Sequence, residues 1–67
     1  MSVVATGFIR GYCCAVATLI AGHGDGQEVT DLLLALNVTP SLLNQLDPYD
    51  ASQIRTTSYW KQRFIDR

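Results

Sequence analysis

A chain of 67 residues, 48% hydrophobic and with a formal net charge of −1, makes one domain at most. A fold of that size buries only about 60% of its unfolded surface, so stability is marginal and a staple is expected. A disulfide is excluded as that staple, because the two cysteines, Cys13 and Cys14, are neighbours, and adjacent side chains on a helix point about 100° apart. We read both as buried, reduced thiols of a cytoplasmic protein, and oligomerisation becomes the expected support.

The small net charge conceals an asymmetry. Over residues 1–50, Arg10 stands against Asp25, Glu28, Asp31, Asp47 and Asp50, a balance of −4. Over residues 51–67, Arg55, Lys61, Arg63 and Arg67 stand against Asp66, a balance of +3. An acidic body with a basic tail suits either docking of the tail on the body, within or between subunits, or an acidic partner.

The densest apolar run is Gly7 to Ala21. Ala5, Phe8, Ile9, Tyr12, Val16, Leu19 and Ile20 follow helical spacing, and Cys13, Cys14 and Ala17 widen the apolar face almost to a full circle. This predicts a long first helix over about 3–21, buried on most sides. Gly7, Gly11 and Ala15 repeat every fourth residue, which predicts a groove where a second backbone approaches closely. The uncharged run from Gly11 to Gly22 is well short of the roughly 18 apolar residues of a membrane span. Arg10 sits too late for the basic start of a signal peptide.

Gly22, Gly24 and Gly26 predict the end of that helix and a reversal. Asp25 with Glu28 three residues on reads as a capping box for a second helix over about 26–36. Val29, Leu32, Leu33 and Leu36 form its apolar stripe, and Asn37, which tolerates the left-handed conformation, ends it. Thr39 and Pro40 cap and start a third helix to about Leu46, with Leu42, Leu43 and Leu46 inward. Asp47 and Pro48 repeat that start for a fourth helix to about Thr56. In the tail, Trp60 and Phe64 pair at helical spacing, which favours a short helix from Ser58. The expectation is an all-α bundle of three or four helices over 1–56, with a basic aromatic tail over 57–67. Its core comprises Phe8, Ile9, Tyr12, Cys13, Val16, Leu19, Ile20, Val29, Leu32, Leu33, Leu36, Val38, Leu43 and Leu46.

Val29 to Leu46 resembles the helix-turn-helix of DNA-binding repressors. Leu33, Leu36, Asn37, Val38, Leu43 and Leu46 occupy its anchor and turn positions. Asn37 replaces the usual turn glycine and Leu33 a usual small residue. The recognition helix so defined offers Ser41, Asn44 and Gln45 to bases and no cation, with Asp47 and Asp50 following. Phosphate contacts, which need basic side chains, supply most nucleic-acid affinity, so nucleic acid is the disfavoured alternative partner. His23 lies about 14 Å along the helix from Cys13 and Cys14, too far to share a metal or form a catalytic pair. The loop glycines lack the strand, spacing and lysine of a phosphate loop. Catalytic, metal and cofactor residues are therefore expected to be none.

The tail is the strongest candidate for partner binding. Tyr59, Trp60 and Phe64 interleave with Lys61 and Arg63, the aromatic and arginine types that dominate binding hot spots. The competing reading is that Trp60 and Phe64 close the core. Phe8-Ile9-Arg10-Gly11-Tyr12-Cys13-Cys14-Ala15-Val16-Ala17, with the glycine-bearing loop and then Asp47-Pro48-Tyr49-Asp50, resembles small accessory proteins of tailed bacteriophages and prophages. The resemblance spans about residues 8–50 and carries over no site residue. It implies a non-enzymatic protein that acts in the host cytoplasm by binding a host or phage protein.

Overall fold

The computed structural model describes residues 6–65, and within them every regular element is helical. They are α1 (Gly7–His23), α2 (Gln27–Leu36), α3 (Pro40–Leu43), α4 (Pro48–Arg55) and α5 (Ser58–Trp60), which passes directly into a π-helical turn, Lys61–Ile65. The expected all-α fold with a long first helix is what the chain adopts. Residues 3–5, the expected first turn of helix 1, lie outside the described residues, as do Asp66 and Arg67 of the tail.

Polar side chains at the junctions set most of the boundaries. Thr6 is the N-cap of α1, its Oγ1 accepting from Ile9 N at 3.2 Å, and α1 begins at Gly7. It also runs through Gly22 and stops at Gly24, where the backbone needs a φ of 82° and the N–H donates to Ile20 O. Gly24 is thus the glycine whose missing Cβ matters. Asn37 closes α2 in the left-handed region, φ 57° and ψ 58°, donating to Leu33 O and Leu34 O. Thr39 accepts from Leu42 N ahead of Pro40, and Asp47 accepts from Tyr49 N ahead of Pro48. α3 is shorter than expected: it ends at Leu43, and Asn44 to Leu46 form turns.

α1 packs chiefly on α4 and also on α2, and α2 receives α5. Cys13, Val16 and Ile20 of α1 meet Val29 and Leu33 of α2, Val38 of the following turn, and Leu42, Leu43 and Leu46. Ala51 and Ile54 of α4 and Tyr59 and Trp60 of α5 complete the cluster. Ile9, Tyr12, Leu19, Leu32 and Leu36 are half-buried around it. Two expectations need correction. Phe8 is 76% exposed, and Cys14 is exposed where Cys13 is fully buried. The buried arc of α1 is centred on Ile9, Cys13, Val16 and Ile20. At about 100° per residue that arc leaves Phe8 at its rim and Cys14 beyond it.

Candidate functional site

The C-terminal segment is built from the core outward. Thr57 is buried, donates to Ile54 O at 2.6 Å and accepts from Trp60 N at 3.2 Å, which caps α5. Tyr59 is buried and its hydroxyl donates to Val38 O at 2.8 Å, pinning α5 to the turn after α2. Trp60 is 6% exposed, and its ring lies 4.4 Å from that of half-buried Phe64. Of the five tail residues singled out for partner binding, then, Tyr59 and Trp60 lie within the chain's own core. Lys61 and Arg63 are exposed, and the Arg63 guanidinium sits 4.8 Å from the Tyr59 ring centroid. Ile65, next to them on the π-helical turn, is 60% exposed. Burial pushes the Tyr59 phenol up, against the lowering pull of Arg63.

Asp25 is not the N-cap of α2. Gly26 holds that position and makes no side-chain capping bond. The Asp25 carboxylate instead accepts from Ser58 N at 2.8 Å and from Ser58 Oγ at 2.5 Å, across 33 residues of chain. It thereby satisfies an otherwise orphaned N–H at the start of α5. A capping motif read within one helix serves as a clamp between the α1–α2 loop and the C-terminal segment. Nothing local in the sequence marks Ser58 as the partner.

The face of α1 turned away from the core is made almost wholly of small residues. Gly7, Gly11, Cys14, Ala15, Thr18, Ala21 and Gly22 are all exposed, with Phe8 on one rim and Arg10 on the other. A Cβ added at Gly7, Gly11 or Gly22 would meet nothing within 4 Å. Among the described residues, none fills the expected close approach at Gly7, Gly11 and Ala15. Thr18 Oγ1 donates back to Cys14 O at 2.9 Å, so its hydroxyl donor is already used.

The nucleic-acid candidates lie on and just after α3. Ser41 and Asn44 are exposed, and half-buried Gln45 donates its side-chain amide to Ser41 O. His23, Glu28 and Asp31 line an open cleft of about 440 Å³ between the end of α1 and the start of α2. Among the described residues no group of three or more His, Cys, Asp or Glu is placed to hold a metal ion. No helix among them is long and apolar enough to cross a membrane. Burial, and secondly the charge of Asp50, pushes the Cys13 thiol above its ordinary range, which suits an inert packing residue.

The fold and these surfaces define a small all-α helical protein with a closed core and two exposed faces of distinct chemistry. Comparison with protein-family models, with curated proteins and with solved structures finds no match for the chain.

Proposed function

We propose that the chain is a non-enzymatic binding protein that modulates another protein, in keeping with a phage accessory protein acting in the host cytoplasm. The observation that carries this reading is the π-helical turn Lys61–Ile65. It sets exposed Lys61, Arg63 and Ile65 directly after buried Tyr59 and Trp60, with half-buried Phe64 packing on the Trp60 ring. Two cations and an exposed apolar side chain carried on one pre-ordered turn suit an acidic protein partner with an apolar contact, because little backbone freedom remains to be lost on binding. The π class is rare and recurs at functional sites. Phe64, half-buried beneath this surface, supports it, and Trp60 acts through it from below.

Affinity capture from host lysate tests the reading with paired baits: the native chain and a Lys61→Glu/Arg63→Glu/Ile65→Ser variant shown by circular dichroism to be folded. A protein retained by the native chain and lost with the variant is expected. Retention indifferent to the substitutions overturns the assignment of this surface. Retention of nucleic acid instead, weakening steeply with salt, supports the alternative of a helix-turn-helix-like, nucleic-acid-binding regulator.

A further inference from the structure

Asp25 is followed by Gly26, and no other aspartate or asparagine in the chain precedes a glycine. A backbone nitrogen can attack the carboxyl carbon of the aspartate before it and close a five-membered succinimide ring. Glycine hinders that attack least, because it has no Cβ. Asp31, Asn37, Asn44, Asp50 and Asp66 each precede a residue with a side chain, and Asp47 precedes proline, which has no N–H to lose. The fold itself does not demand glycine at 26: its φ is −114°, and a Cβ there would meet nothing within 4 Å. Asp25 and Gly26 are exposed and lie between α1 and α2. With Ser58 and Gln62 they line an open recess of about 270 Å³, so water reaches them. We infer that Asp25-Gly26 is a site of spontaneous conversion to isoaspartate, that the Asp25–Ser58 clamp holds the reaction in check, and that conversion releases the start of α5.

The reaction balances with water alone. The Gly26 nitrogen loses its proton and bonds to Asp25 Cγ, and the carboxyl hydroxyl leaves with that proton as water. Water then adds at one of the two ring carbonyls. Addition at Cγ breaks the new bond and restores aspartate. Addition at the Asp25 backbone carbonyl breaks the original peptide bond and leaves the chain running through Cγ, as isoaspartate. Nothing is oxidised or reduced. In the folded chain both bonds of the clamp fall on Oδ2, from Ser58 N and from Ser58 Oγ. They fix the carboxylate on α5, whereas ring closure needs Cγ free to swing onto the Gly26 nitrogen. Conversion therefore proceeds from the fraction of molecules whose clamp is open, a local event far smaller than global unfolding.

The product cannot rebuild the clamp. Isoaspartate lengthens the main chain by one carbon, about 1.5 Å, and its carboxylate hangs directly on Cα. The former Cγ is now a main-chain carbonyl, so no charged oxygen stands where Oδ2 stood. The N–H at the start of α5 loses its acceptor. The Thr57 cap and the Tyr59 bond to Val38 O remain, so the segment loosens at its junction with the α1–α2 loop and stays attached to the core. This consequence does not depend on the partner-binding reading of the residues that follow.

The test follows the full chain through prolonged incubation in mildly acidic buffer below its melting temperature. Isoaspartate is counted by methyl transfer with an isoaspartyl methyltransferase and placed by peptide mapping, with the succinimide seen as a species lighter by one water. Product should accumulate at position 25 and nowhere else. Gly26→Ala, which the backbone accommodates, should leave helicity intact and slow the reaction by about tenfold. Ser58→Ala should speed it by about two- to tenfold, the range set by one net hydrogen bond. Ile54→Val thins the core at a fully buried residue and leaves the clamp untouched, so it should change the rate less than Ser58→Ala does. The purified isoaspartyl chain should melt below the native one and together with Asp25→Ala. Product spread over other positions, a rate that Ser58→Ala leaves unchanged or that Ile54→Val raises equally, or an isoaspartyl chain that melts with the native one each overturns the inference.

Discussion

Replacing Asp25 by alanine removes two hydrogen bonds at once, from Ser58 N and Ser58 Oγ. A hydrogen bond to a charged acceptor contributes about 1.5–3 kcal/mol when well shielded. Both of these are exposed, so water competes for each and the pair together contributes about 1–2 kcal/mol. In a domain of this size 1 kcal/mol moves Tm by about 4–8 °C, so Asp25→Ala should lower Tm by roughly 5–15 °C. Ser58→Ala keeps the backbone bond and should cost about half as much. The double variant should cost less than the sum of the single ones, because both remove the hydroxyl bond. Thermal melts followed by circular dichroism and by the fluorescence of Trp60, the chain's one tryptophan, measure all four chains. Additive costs, or an Asp25→Ala melt indistinguishable from the native one, would refute the clamp and restore Asp25 to a local role at the start of α2.

Three further outcomes follow from the packing. Trp60→Ala should cost about 3–5 kcal/mol, enough to leave much of the chain unfolded at room temperature in a urea titration; a cost below 1 kcal/mol would mean that α5 is not part of the core. Phe8→Ser should change the stability of the single chain by less than about 0.5 kcal/mol, because the ring is 76% exposed. Cys13 and Tyr59 both have raised values, so folding favours their neutral forms. The stability they contribute is complete below the ordinary thiol and phenol values of about 8.5 and 10, and is lost as pH rises past them. The urea midpoint should therefore fall above about pH 8.5, and in Cys13→Ala the fall should start later, near pH 10; a midpoint that rises over that range contradicts the assignment.

Features set by short-range chemistry could be read from the sequence. Thr39 with Pro40 and Asp47 with Pro48 cap helices because the side chain and its targets lie within three residues. Asn37 ends α2 because a left-handed residue is needed there and asparagine adopts it cheaply. Features set by tertiary choice were not legible. Phe8 and Tyr12 share a helical spacing and a ring contact, with centroids 6.2 Å apart. Yet Tyr12 is turned inward, its hydroxyl donating to Leu32 O at 2.8 Å, and Phe8 is left at the rim. Cys13 and Cys14 look alike in sequence, and only the direction from which α2 and α4 approach separates them. Asp25 and Glu28 have the spacing of a capping box, but an exposed carboxylate found a donor 33 residues away. At the candidate surface, composition identified the segment, while the division of its side chains between core and solvent depended on how α5 docks.

The division of α1 into one buried and one open face underlies the fold and the choice of surfaces. Thiol reactivity under native conditions tests it most directly. One thiol per chain should react with a disulfide reagent such as DTNB at the rate of an unprotected thiol. The second should react only as fast as the chain unfolds, and Cys14→Ser should abolish the fast phase alone. Two fast thiols, or two that both wait for unfolding, would contradict the account.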